Sequence, residues 1–231
     1  MTLNRNLKHI QELITSSEIQ FHRKPGSVLL LAASKEQSAS IITQAFESGV
    51  THFGENYFQE AQAKIKLLKH LAITWHFIGP VQSNKTKGIA TDFDWVHTID
   101  RLKIANLLNE HRTNQIKPLN VCLQINLVGE KTKSGIAVEQ ASELAFAVSQ
   151  LPHLCLRGLM TIPPPQNNPE EQYELLMQLT RLMHTINTDR GLSMDTLSMG
   201  MTDDLIPAIK AGSTIVRIGR ALFGERKGNI L

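Results

Sequence analysis

The sequence predicts an α/β fold, a (β/α)8 TIM barrel with an extra N-terminal helix. Three observations carry this. Eight short apolar runs behave as strands, each is separated from the next by helix or helix-length sequence, and no glycine-rich dinucleotide fingerprint follows the first run. An open doubly wound sheet is the structural rival. It would more often carry such a fingerprint, whereas Lys35 is followed by Glu36-Gln37-Ser38.

Taken in order, Leu3, Leu7, Ile10, Leu13 and Ile14 recur at helical spacing and give an amphipathic N-terminal helix. The first strand, Leu29 to Lys35, is an apolar run that ends on a lysine sharing one face with Leu29, Leu31 and Ala33. A helix over 38–48 stops at Gly49, and the strand 51–56 runs into a helix reaching about Leu68. Trp75–Gly79 is the third strand, followed by the polar turn Gln82–Lys85 and a short helix. Trp95–Asp100 is the fourth, with a helix over 101–113. Leu119–Asn126 is the fifth, followed by a loop to Gly135 and a helix over 138–150. Leu154–Ile162 is the sixth, ended by three prolines, with a long helix over 170–187. Thr196–Met201 and Ser213–Gly219 are the seventh and eighth. A short helix separates them, and 221–226 closes the chain. No linker or low-complexity segment interrupts 1–231, so one domain is expected.

Composition narrows the function. A hydrophobic content of 42%, 19% charged residues and a net charge of +3 are those of an ordinary globular protein. Basic residues form no run of five or six, so a nucleic-acid partner is not expected, and the lysines from Lys64 to Lys69 with Lys85 and Lys87 read as a solvated helix face. No apolar run approaches the roughly 20 residues that span a bilayer, and the N-terminus lacks a signal-peptide core. Cys122 and Cys155 sit in separate strands as small hydrophobes, which suits a cytoplasmic location. The nine histidines show no paired ligand spacing, so no metal site is expected.

In such barrels the working residues stand at the C-terminal strand ends. Those ends are Lys35, Asn56, Gly79, Asp100, Asn126, Pro163, Thr202 and Gly219. Lys35 reads either as a lysine snorkelling off a strand end or as a partly desolvated amine able to form a Schiff base. The last two units supply Ser198, Gly200, a helix start capped by Thr202 or Asp203, and Arg217 pointing into the mouth before Gly219. Loops after strands seven and eight commonly make a phosphate site. The plainer alternative is that Ser198 and Thr202 only cap a helix while Arg217 pairs with a core carboxylate. An amine opposite an oxyanion cradle suits a phosphorylated aldehyde, and pyridoxal 5′-phosphate (PLP) is the candidate cofactor.

Several motifs resemble, in order, those of the pyridoxal phosphate homeostasis proteins. They are Ala33-Ser-Lys35, Phe53-Gly-Glu-Asn-Tyr57, Trp75-His-Phe-Ile-Gly-Pro80 with Gln82–Lys85, and Lys133-Ser-Gly135. Gly158-Leu-Met-Thr-Ile-Pro163, Leu197–Met201, Gly212–Gly219 and Phe223-Gly-Glu-Arg226 complete the set. The resemblance implies a barrel like the N-terminal domain of alanine racemase (PLP fold type III), with PLP as an internal aldimine on Lys35. It implies Asn56 beside the ring, Ser198, Gly200, Thr202 and Gly219 near the phosphate, and Arg217 facing the pyridine nitrogen. It further implies a carrier in intracellular vitamin B6 homeostasis that acts as a monomer, without catalytic residues of its own, and that passes PLP to apo-enzymes. A racemase-like enzyme is the alternative. It needs a second base, for which the sequence offers only Tyr57 and Tyr173. Lys133 reads as a solvated loop lysine or as a second amine for cofactor transfer. Three positions depart from the family pattern: Glu36-Gln37 after the lysine, Thr202 in place of a serine, and Phe58 in place of a valine.

Overall fold

The computed structural model describes residues 2–112, 117–129 and 134–224. The strands are β1 (Leu29–Ala33), β2 (His52–Glu55), β3 (Thr74–Phe77), β4 (Trp95–Ile99), β5 (Leu119–Asn126), β6 (Ile136–Ala137), β7 (Leu154–Met160), β8 (Thr196–Ser198) and β9 (Ile215–Ile218). All pair in parallel in the order β4-β3-β2-β1-β9-β8-β7-β5-β6, and an added β4–β5 pairing closes the ring. The barrel is therefore closed, as expected, and β6 is a two-residue extension on β5 that the sequence did not announce.

Helices α1 (Leu3–Gln20), α2 (Ala39–Glu47), α3 (Phe58–Leu67), α4 (Thr86–Asp92), α5 (Leu102–His111), α6 (Ala141–Ser149), α7 (Pro169–Arg190), α8 (Leu205–Lys210) and α9 (Arg220–Phe223) complete the described residues. Local chemistry sets their ends. The Ser38 hydroxyl accepts the Ile41 N–H to cap α2. Asn168 caps α7 with Pro169 in its first turn, and Gly191 ends it at φ 62°.

Strand parity divides the burial. Phe53, Trp75, Phe77, Val96, Val121, Leu123, Leu159, Val216 and Ile218 join the apolar core with helix residues such as Ile42, Ile89 and Ile104. Residues of the opposite parity, including His76, His97, Cys122, Ser198 and Arg217, are equally buried but face the lumen. Cys122 is buried as expected, whereas Cys155, at the start of β7, is exposed.

The N-terminal helix is tied to the barrel by a carboxylate. Glu18 is buried and accepts hydrogen bonds from the N–H groups of Gly26 at 2.9 Å and Val28 at 2.8 Å, and from the Ser27 hydroxyl at 3.3 Å. It therefore satisfies the turn that feeds β1, the strand leading to Lys35. Glu18→Ala orphans those donors and is expected to cost roughly 2–4 kcal/mol. A urea melt checks this, and a loss below about 0.5 kcal/mol would contradict the assignment.

Candidate functional site

The C-terminal strand ends surround a cleft of about 220 Å³ lined by Ala33, Lys35, Gln37, Asn56, Ile78, Ile162, Met201, Thr202, Asp203, Arg217, Gly219, Arg220 and Gly224. Five of the expected residues, Lys35, Asn56, Thr202, Arg217 and Gly219, meet there. Ser198 and Gly200 do not line it. The Ser198 hydroxyl is fully buried and engaged by His97 and Arg217, both at 2.8 Å. Gly200 instead turns the chain at φ 95°, where a Cβ would stand 2.5 Å from that of Ala208, and its carbonyl accepts the Arg217 N–H. Lys133 lies outside the described residues.

Lys35 follows the end of β1, half-buried. Among the described residues its ammonium has no carboxylate within salt-bridge distance. The turn that presents it is held from below. The next residue, Glu36, stands at φ 65°, a conformation seldom adopted by side chains with a Cβ, and its N–H donates to Glu60 at 2.7 Å. The preceding Ser34 donates its hydroxyl to Glu55 at 2.6 Å, and the Ser34 carbonyl accepts from Lys64 at 2.9 Å. Lys64 also reaches Glu55 at 2.9 Å and Glu60 at 2.5 Å. Lys64 is thus buried, and its assignment to a solvated face is corrected: two carboxylates draw it inward. The i,i+4 spacing of Glu60 and Lys64 is the signal that could have shown it.

Asn56 reaches the cleft because Gly79 gives way. A Cβ on Gly79 would sit 2.0 Å from the Asn56 carbonyl oxygen, so only glycine lets the ends of β2 and β3 approach this closely. Helix α8 starts one residue later than expected. Asp204 occupies its N-cap and its carboxylate accepts the Met201 N–H at 2.6 Å, which leaves Thr202 and Asp203 on the cleft wall rather than at the cap. Gly219 begins α9, where a Cβ would be 3.4 Å from the Ala33 carbonyl oxygen. Arg220 pairs with Asp203 at 3.1 Å on the rim.

Arg217 forms the floor. It is buried, yet no carboxylate pairs with it among the described residues. Its terminal nitrogens donate to Ser198 and to the Thr161 carbonyl, both at 2.8 Å. Burial pushes its pKa down to about 10, with Asp204 opposing, so it remains a cation at neutral pH. Beneath it lies a row that histidine spacing did not disclose. His52 meets His76 at 2.9 Å, His76 meets His97 at 2.9 Å, and His97 meets Ser198. No group of three metal-ligating side chains occurs among the described residues.

The cleft combines an uncompensated amine, a buried guanidinium, a hydroxyl and the first N–H groups of a helix turn. This set fits an anion that also carries an electrophilic carbon. Residues 3–227 match the model of the alanine racemase N-terminal domain. The pyridoxal phosphate homeostasis protein of Pasteurella multocida is 48% identical over 229 residues, covering 98% of each chain. That of Escherichia coli K12 is 47% identical over 224 residues, covering 96% of this chain and 95% of that one. PipY of Synechococcus elongatus, solved with PLP bound, superposes with a TM-score of 0.85 at 32% identity, covering 96% of this chain and all of that one.

The anchor under Lys35 has a pH signature. Burial raises the Glu55 pKa above its ordinary value of 4.5, with Lys64 opposing. Lys64→Met removes that opposition, so the folded pKa rises further and the carboxylate form is penalised more. The variant is expected to lose roughly 3–5 kcal/mol. The folded state holds the proton more tightly than the unfolded one. The deficit is therefore smallest below pH 4.5 and grows as pH rises through the folded pKa. Denaturant melts across that range check the sign, and adding Glu55→Leu should recover most of the loss.

Proposed function

The chain belongs to the family of pyridoxal phosphate homeostasis proteins, built on the alanine racemase N-terminal domain, and from that premise we propose that it carries PLP as a Schiff base on Lys35 in intracellular vitamin B6 homeostasis. The observation that carries this reading is an amine without a carboxylate partner and a guanidinium bound only to neutral oxygens, both lining one cleft.

In this reading Lys35 would hold the cofactor through its aldehyde carbon, the displaced oxygen departing as water. Asn56 and Ile78 would flank the cofactor ring, and Arg217 on the floor would meet its pyridine nitrogen, where a fixed charge would oppose protonation. Bound PLP supplies electron-withdrawing chemistry, and a cation in this position limits it. Thr202 and the N–H groups at Gly219 and Arg220 would hold the phosphate. Ser198 and Gly200 serve this site from behind, the first by holding Arg217 and the second by letting the loop after β8 turn.

The same geometry supports a carrier rather than a racemase. Tyr57 is exposed at the start of α3 and does not line the cleft, so it offers no second base opposite Lys35. The rim residues Ile162 and Met201 are exposed, leaving a path for release to apo-enzymes. Both cysteines are free, which suits the reducing cytoplasm, and no helix among the described residues is long and apolar enough to cross a membrane.

Incubation with PLP followed by borohydride reduction and peptide mapping tests the reading. The visible band and the label on Lys35 are expected, with both lost in Lys35→Ala. A label on another lysine, or no uptake at all, would refute it.

A further inference from the structure

We propose that His52, His76, His97 and Ser198 form a column of fixed proton order through the barrel lumen, with every imidazole in its Nε2–H form, and that this column positions Arg217 at the cleft floor. The role toward the cofactor rests on the reading above. The proton order does not, being a property of the chain itself.

The geometry crosses the barrel. His52, His76 and His97 stand on the consecutive strands β2, β3 and β4, whereas Ser198 and Arg217 stand on β8 and β9. Strands β4 and β8 are not neighbours in the ring, so the 2.8 Å contact between His97 Nδ1 and Ser198 Oγ spans the lumen. His76 also stacks on Trp95, with rings 13° from parallel, and the Arg157 guanidinium lies over that indole. The column therefore runs from the N-terminal mouth, where His52 is half-buried, to the floor of the cleft.

Its direction follows from donor arithmetic. A guanidinium only donates, so the Ser198 oxygen must accept from Arg217 and has its own hydrogen left to give. The partner found for it is His97 Nδ1. Were that nitrogen protonated, two donors would converge on the serine and its hydroxyl hydrogen would be orphaned in the interior. No buried side-chain nitrogen or oxygen among the described residues lacks a partner. His97 Nδ1 is therefore the acceptor, and burial with the Arg217 charge keeps the ring neutral, its pKa pushed down to about 3. A neutral ring with a bare Nδ1 carries its proton on Nε2, which donates to His76 Nδ1. His76, itself held neutral by burial, repeats the pattern and donates to His52 Nδ1.

The result is one hydroxyl and three imidazoles aligned head to tail, their acceptor ends directed at Arg217. A buried cation needs compensation. A carboxylate would supply it by cancelling the charge, whereas aligned dipoles hold the guanidinium and leave its net charge directed at the ligand. In this sense His52, His76, His97 and Ser198 are positioning residues.

Nitrogen-15 NMR of the histidine-labelled chain, without added ligand, reads the order directly. Protonated Nε2 and acceptor Nδ1 are expected for His76 and His97, and Nδ1–H on either ring overturns the proposal. For the link to the site, Ser198→Ala should weaken PLP binding about tenfold and shift the visible band of the bound cofactor, while Ser198→Thr should restore both. Unchanged affinity and spectrum in Ser198→Ala would overturn the positioning role. If the unaltered chain showed the stated tautomers but took up no PLP, the proposed function would fall and the proton order would stand.

Discussion

A closed parallel barrel has no free face, and this constraint governs the molecule. Its outer surface is covered by helices, so apolar residues there have partners without further arrangement. The lumen is different. Here it holds histidines, a serine and an arginine, and each polar group must be satisfied by another inward-pointing group. The side chains that meet the cleft from below are consequently placed by interactions that run across the lumen rather than along the sheet.

Two cations beneath the strand ends answer that constraint in opposite ways. Lys64 is neutralised by Glu55 and Glu60 and spends its charge on structure, gripping the carbonyl before Lys35 while Glu60 grips the N–H after it. Arg217 meets oxygen atoms of neutral groups only. The first arrangement fixes the backbone that presents an amine. The second keeps a positive charge available at the surface of the cleft. Exchanging them would leave a rigid lysine turn with no anion-attracting floor.

Much of this was legible in residue order, because periodicity and punctuation are local. The alternation of strands and helices, the lysine at the end of β1 and the glycines around β8 and β9 can all be read along the chain. Element ends shifted by one to three residues where caps compete, as at Asp204, which took the cap expected of Thr202 or Asp203. What escaped was non-local. His52, His76 and His97 are more than 20 positions apart in each step and become neighbours only through strand register. Ser198 was legible as a hydroxyl at the end of the seventh strand, but that position cannot say whether it meets a ligand or a buried arginine. Lys64 was misjudged because its exposure depended on Glu55, whose burial is set by β2.

The charge balance of the cleft connects these points to function. Asp203, the one carboxylate on its wall, is already paired with Arg220. Lys35 and Arg217 therefore remain uncompensated by carboxylates among the described residues, both lining a cavity of about 220 Å³. Two positive centres held apart by a rigid barrel cannot relieve their mutual repulsion by moving. An anion entering between them gains from both. The fold thus holds ready a cleft whose charge favours an anion.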